Sequence, residues 1–293
     1  MSDDKFTDVT AISDFHGILP VIEPTELLLI AGDVIPFDIQ RDLESSEYWF
    51  KTTFKEWVDN LQCNTVILIA GNHDFYLETL KTPEDRNEFS SIFDGKLIYL
   101  DNEEYTYKTN NGSAIRIFGT PYCSIFFKWA FMKDSLSLAG IFNKIPEGID
   151  ILLSHDPPMI GTVDMILKPN PYSLWPVDKG HVGNPELTQR LKELKDIGQA
   201  PRMVISGHIH TGNHTIEPDP DYPNMTVVNV SMMDEVCYSL VQDPLRFYWH
   251  SRPNKTSLDP ERVSLEDIGY IQDQLVSKSE DGKSPSVFRA GLL

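Results

Sequence analysis

At 293 residues with 41% hydrophobic content, the chain has enough apolar material for a sizeable core, which excludes wholesale disorder. Its 25 Lys and Arg against 44 Asp and Glu leave a formal net charge of −19, and residues 1–104 carry 22 of the acids but only 7 of the bases. Such a surface argues against non-specific nucleic-acid binding, which needs Lys and Arg to displace counterions, and against docking on anionic membranes. The opening MSDDKFTDVTAIS has no basic region followed by an apolar one, so no signal peptide is expected. Apolar runs such as LLLIA and VILIA fall far short of the roughly 20 residues a membrane span needs. Three widely spaced cysteines (Cys63, Cys123 and Cys237) form no CxxC pair, which argues against a disulfide framework and for a reducing, cytoplasmic location.

In chain order, a short aliphatic run recurs that stops abruptly at a polar residue. It appears as VTAIS before Asp14 and LLLIAG before Asp33. A helical pattern follows over Glu47–Leu61, with Trp49, Phe50, Phe54, Trp57, Val58 and Leu61 at spacings of three and four. The run returns as VILIAG before Asn72 and IDILLS before His155. A second helix is predicted over Pro185–Ile197, with Asn184 as N-cap and proline at the first turn. RMVISG before His208 is the fifth run. Runs of four to six apolar residues bounded by Gly or Ser read as buried strands. Further strands are expected near 213–216, 225–230, 236–241 and 245–249, arranged as a meander or second sheet. Alternation of strand and helix points to an α/β fold with a largely buried sheet. The predicted domain spans residues 1–251. Residues 252–293 form a peripheral helix, opened by the capping-box pattern Ser264-x-x-Asp267 and running to about Val276, plus a flexible tail.

The five strand ends carry Asp14-Phe15-His16, Gly32-Asp33, Gly71-Asn72-His73-Asp74, Ser154-His155-Asp156 and Gly207-His208-Ile209-His210, and they hold five of the eight histidines. Each alone is unremarkable, since Gly-Asp after a strand is usually a turn. Jointly they point to one place, because functional groups in open α/β sheets collect at the carboxyl ends of strands. Carboxylate, imidazole and amide donors together suit Mn, Fe, Zn or Co better than Ca or Mg. Seven donors are too many for one catalytic ion and suit two ions sharing a carboxylate. No cysteine belongs to the set, which argues against a structural zinc site.

In this order, D-x-H, G-D, G-N-H-D, H and G-H-x-H resemble the signature of the calcineurin-like metallophosphoesterases over roughly residues 9–241. Within that superfamily, Phe127–Phe131, Ile145–Leu152, His155-Asp156-Pro157-Pro158, Gly180-His181-Val182-Gly183 and Asn229-Val230-Ser231 are similar to the metallophosphoesterase-domain group, related to class III cyclic-nucleotide phosphodiesterases. The resemblance implies two facing mixed β-sheets flanked by helices, a four-layer αββα sandwich. It also implies that Asp14, His16 and His210 hold one ion, that Asn72, His155 and His208 hold the other, and that Asp33 bridges them. His73 would face the leaving group and Asp74 would orient His73 from behind. Two divalent transition-metal ions are implied, manganese favoured over iron, zinc or cobalt. The expected activity is hydrolysis of a small phosphodiester, a cyclic nucleotide or similar, by a hydroxide between the metals. The alternatives are a phosphomonoesterase, protein phosphatase or nuclease of the same superfamily, or a metal-binding regulatory protein with vestigial chemistry.

Three other features stand beside the motifs. His181 either contacts substrate or serves only its loop. Phe126, Phe127, Trp129 and Phe131 read as core or loop packing, with base stacking the alternative if they border the metals. Tyr172-Ser173-Leu174-Trp175, in a proline-rich stretch, is the candidate lid.

Overall fold

The computed structural model describes residues 6–166, 180–212, 216–218, 221–222, 224–234, 237, 239–250 and 287–290. The expected lid at 172–175 and the helix of 264–276 lie outside these residues.

All five predicted runs are strands, at Phe6–Ile12, Leu27–Ile30, Thr65–Leu68, Ile151–Ser154 and Met203–Ser206. They are divided between two six-stranded sheets. In the first, Phe6–Ile12, Leu27–Ile30, Thr65–Leu68 and Leu97–Tyr99 run parallel, and Leu245–His250 joins antiparallel beside Phe6–Ile12. Val287–Ala290 continues that sheet at its edge. In the second, Ala114–Thr120, Ile151–Ser154, Met203–Ser206 and Thr226–Asn229 run parallel, with antiparallel edges at Glu103–Lys108 and Ile216–Pro218. The late strands therefore form no meander: 226–229 and 245–250 go to different sheets. Around 236–241 the described residues make an isolated bridge, Met233 to Leu240, and no strand.

Why the runs are apolar on both faces follows from the layering, since side chains alternate faces along a strand and both faces are covered. Val9, Ala11, Leu27, Leu29 and Ile67 meet Ile115, Ile117, Ile151, Leu153 and Ile205 between the sheets. The alternate residues Ile12, Leu28, Ile30, Val66 and Leu68 pack outward on Trp49, Phe50, Phe54, Val58, Phe89 and Phe93. On the other sheet, Phe118, Leu152 and Val204 pack on Leu138, Phe142, Leu187, Leu191 and Leu194. The result is a four-layer αββα sandwich.

The helix predicted over 47–61 is longer and interrupted. It starts at Leu43, where Asp42 caps the Ser45 amide, passes through a π-helical stretch at Phe50–Phe54, and ends at Asn60. That wider turn lets Trp49, Phe50 and Phe54 all face the sheet. The second predicted helix is Pro185–Asp196, capped by the Asn184 side chain on the Leu187 amide. Among the described residues no helix is long and apolar enough to cross a membrane. All three cysteines are free thiols.

Candidate metal centre

Parallel pairing delivers the five motifs to one rim, the carboxyl ends of both sheets. Two contacts stitch the rims together. His155 Nδ1 lies 2.7 Å from the Ala31 carbonyl of the opposite sheet, and the His208 amide donates to the Asp14 carboxylate at 2.9 and 3.1 Å.

The backbone at this rim is strained. Asp14, His16, Asp33 and His208 have φ of 53°, 41°, 54° and 68°, left-handed values that non-glycine residues rarely adopt and that cluster at functional sites. Bonds beyond the strand ends hold the conformation: Asp14 N–H donates to Gly32 O, His16 N–H to Asp33 O and Gly17 N–H to Val34 O. Two glycines leave the space the carboxylates fill. A Cβ at Gly71 would collide with Asp33 Oδ1 and the His155 ring, and one at Gly207 with Ser13 Oγ and Asp14 Oδ2. Gly207→Ala is therefore expected to cost about 1–3 kcal/mol, as overpacking does, and to lower the bound metal below two equivalents. Unchanged thermal midpoint and metal content would refute it.

The donors group into overlapping clusters whose ligand atoms lie within 4.8 Å of one another: Asp14, His16 and His210; Asp14, Asp33 and His155; Cys123, His155 and His208. Asn72 Oδ1 borders the last at 3.1 Å from His155 Nε2. Asp33 Oδ2 stands between the groups, 3.7 Å from His16 Nε2 and 3.4 Å from His155 Nε2. All seven sequence-predicted donors are thus brought together. Carbonyls fix two of the rings, because a carbonyl only accepts. His155 Nδ1 faces Ala31 O, and His210 Nδ1 faces Asp234 O at 3.0 Å, so each turns Nε2 inward.

Charge in the cluster is already separated. Burial raises the Asp14 carboxyl, but the His210 and His155 rings outweigh it and hold it down at about 2. Burial likewise opposes ionisation of Asp33, yet His155 and His73 keep it well below the usual carboxylate range. His155 is driven down by burial but carried up to about 10 by Asp33. His16 behaves differently. Burial takes it down to about 3, and neither ring nitrogen has a hydrogen-bond partner among the described residues. A buried neutral imidazole with an orphaned lone pair beside two ionised carboxylates is costly unless a cation completes it. The donors present fit divalent metal ions.

His73 sits at the edge of this centre, its Nε2 4.0 Å from Asp33 Oδ2. Its ring is boxed by Trp129 at 4.4 Å, Phe37 at 5.3 Å and His16 at 5.0 Å between centroids. Burial lowers its pKa. The expectation that Asp74 orients it fails. Both Asp74 oxygens are taken by backbone amides: Gly71 at 2.7 Å, Asp33 at 2.9 Å, and Val34 and Ile35 at 3.1 Å. Burial and the Asp33 charge push this carboxyl up to about 7, against the pull of the Gly71 and Ile35 amides. The partner of His73 Nδ1 is Gln40 Oε1, at 2.5 Å.

The expected aromatic group divides. Phe131 is core, Trp129 lies on His73, and Phe126 and Phe127 are exposed. His181 pairs through Nδ1 with the buried Asp164 carboxylate at 2.9 Å, and no hydrogen bond, ion pair or ring contact among the described residues joins it to the seven donors. Sequence reading missed Gln40, Phe37, Asp164 and Cys123. The first three sit in loops without a spacing signal. Cys123 had only a weak one: it lies three residues past IRIFGT, a strand whose apolar spacing is interrupted by Arg116 and which ends at Gly and a polar residue. Burial and the Asp156, Asp33 and Asp14 charges push its thiol well above the ordinary range.

Two sheets whose rims meet, with a carboxylate standing between overlapping donor clusters, define a candidate metal centre of the α/β class. The family model for calcineurin-like phosphoesterases matches residues 7–212, and the chain belongs to that family, whose members use divalent metal ions. It is 28% identical over 249 residues to human metallophosphoesterase domain-containing protein 1, covering 77% of this chain and 68% of that one. It is 27% identical over 209 residues to a probable rhamnogalacturonate lyase C of Emericella nidulans, a match covering 71% of this chain but only 18% of that much longer protein. Among solved structures, a dimetal phosphatase from Danio rerio aligns with a TM-score of 0.42 and 12% identity over 79% of this chain and 88% of that one.

Proposed function

We propose that the chain hydrolyses a small phosphodiester, a cyclic nucleotide or similar, at this centre. The observation that carries the reading is Asp33, whose Oδ2 stands between the donor clusters and faces His73 Nε2. Asp14, His16 and His210 would hold one ion and Asn72, His155 and His208 the other, with Asp33 shared. Such ions supply charge neutralisation at the phosphoryl oxygens and an activated water. His73 does the proton work. Nδ1–H donates to the Gln40 carbonyl oxygen, so it is the protonated ring, with its second N–H at Nε2, that delivers a proton to the departing alkoxide and is left as the neutral Nδ1–H form. The Trp129 and Phe37 rings keep that proton donor in one pose and line its surroundings with apolar surface, which suits an organic leaving group. The net charge of −19 favours a small substrate over a polyanion that would have to cross the acidic surface.

The test loads the full chain with Mn²⁺ and compares kcat/KM for aryl phosphodiesters, aryl phosphomonoesters, and 2′,3′- and 3′,5′-cyclic nucleotides. Diesters, including at least one cyclic nucleotide, are expected to be preferred. No turnover with two ions bound would overturn the enzyme reading, and preference for monoesters would overturn the diester reading.

A further inference from the structure

Cys123 stands where the sequence placed no donor. It opens the short strand Cys123–Ser124, three residues past Thr120, and Thr120 pairs with Ser154, the residue before His155. The side chain is fully buried. Its Sγ forms a triangle with one ring nitrogen each of His155 and His208, all within 4.8 Å, and Asn72 Oδ1 adjoins the same space. The backbone holds it there: the Cys123 amide donates to Phe131 O at 3.1 Å and the Ser124 amide to Asp156 Oδ2 at 3.0 Å. Against this, the thiol's own polar contact is weak, a 3.5 Å approach to Pro121 O.

We infer that Cys123 is a sulfur donor to the ion held by Asn72, His155 and His208. The inference rests on the reading that the clusters hold metal, and it sharpens which metal. Two imidazoles, one thiolate, one amide oxygen and the shared Asp33 carboxylate make a set in which nitrogen and sulfur outnumber oxygen, suited to zinc, cobalt or ferrous iron, whereas manganese prefers oxygen-rich surroundings. The cluster of Asp14, His16 and His210 has no sulfur, so the two positions differ in softness and favour different ions. On binding, the sulfur lone pair forms the bond to the ion and the thiol proton leaves to solvent; no electron is transferred.

The experiment titrates the metal-free full chain with Co²⁺ and follows absorption. The wild type is expected to develop a near-ultraviolet sulfur-to-cobalt charge-transfer band that saturates with one of two bound equivalents. Cys123→Ser should lose that band and keep the visible cobalt bands. Cys237→Ser is the control, because Cys237 Sγ lies 3.6 Å from His210 Nδ1; it should keep the band. Two bound cobalt ions without a sulfur band in the wild type, or loss of the band in Cys237→Ser instead, would overturn the assignment. Cadmium NMR of the unmodified chain decides the matter without relying on the folding of a variant: one resonance in the sulfur-ligated range is expected, and two in the nitrogen and oxygen range refute it. An intact sulfur band with no hydrolysis of any ester would overturn the proposed function and leave Cys123 assigned; a chain that binds no cobalt overturns both.

Discussion

Asp74→Ala is expected to lower the stability of the chain by about 4 kcal/mol or more and to empty the centre of metal, not merely to slow the reaction. Its two oxygens accept four buried backbone amides, those of Gly71, Asp33, Val34 and Ile35, at 2.7 to 3.1 Å. An unsatisfied buried donor costs about 1–3 kcal/mol, so even with water relieving part of the loss, the sum reaches the range reserved for broken buried networks. The consequence for function is geometric. Those amides flank the left-handed Asp33 and tie the loop after Leu27–Ile30 to the loop after Thr65–Leu68, which carries Asn72 and His73. Without the carboxylate, Asp33 loses the clamp that holds a rarely adopted backbone conformation. Asp74→Asn should fall between, because an amide group meets only part of the donor set with an acceptor. Urea unfolding and metal content measure both effects. An Asp74→Ala protein with the wild-type midpoint and two bound ions would show that the clamp is unimportant.

This role for Asp74 marks the boundary of what the residues alone disclose. Strand ends and their donors were legible because burial on both faces forces an unbroken apolar run, and the first polar residue after it must sit at the rim. The same logic predicted Asp14, Asp33, Asn72, His155 and His208 together; the N-cap Asn184 was legible on different grounds, the proline that follows it at the first helical position. Contacts across the rim were not legible. Whether His73 meets Asp74, one residue away, or Gln40, thirty-three away, depends on how the 33–42 loop folds back, and no periodicity encodes that. The start of the first helix was missed for a related reason. Asp42 is an ordinary N-cap, but the turn it opens exposes Leu43 and buries only the polar Ser46 before Trp49, so no apolar spacing carries the pattern back to it. The sorting of 226–229 and 245–250 into separate sheets is likewise a matter of chain path, since both runs read equally as strands.

His73→Ala should separate the proton step from metal holding. Its ring belongs to none of the donor clusters, and its Nε2 is 4.0 Å from the nearest carboxylate oxygen, Asp33 Oδ2, so the variant is expected to keep both ions. A positioned general acid is worth about 10²–10⁴-fold, or about 3–5 kcal/mol of barrier. That loss should depend on the leaving group. An aryl oxide is stable enough to depart without a proton, whereas the alkoxide of a ribose ring is not, so the variant should lose far more on a cyclic nucleotide than on an activated aryl diester. The Gln40 contact strengthens the expectation, because it leaves Nε2 as the ring atom free to face the cleft. Metal content by elemental analysis, and kcat on a series of esters of graded leaving-group basicity, report the two halves independently. A flat loss across the series would mean that His73 stabilises the phosphoryl group instead of protonating the alkoxide. Loss of an ion would make it a metal donor.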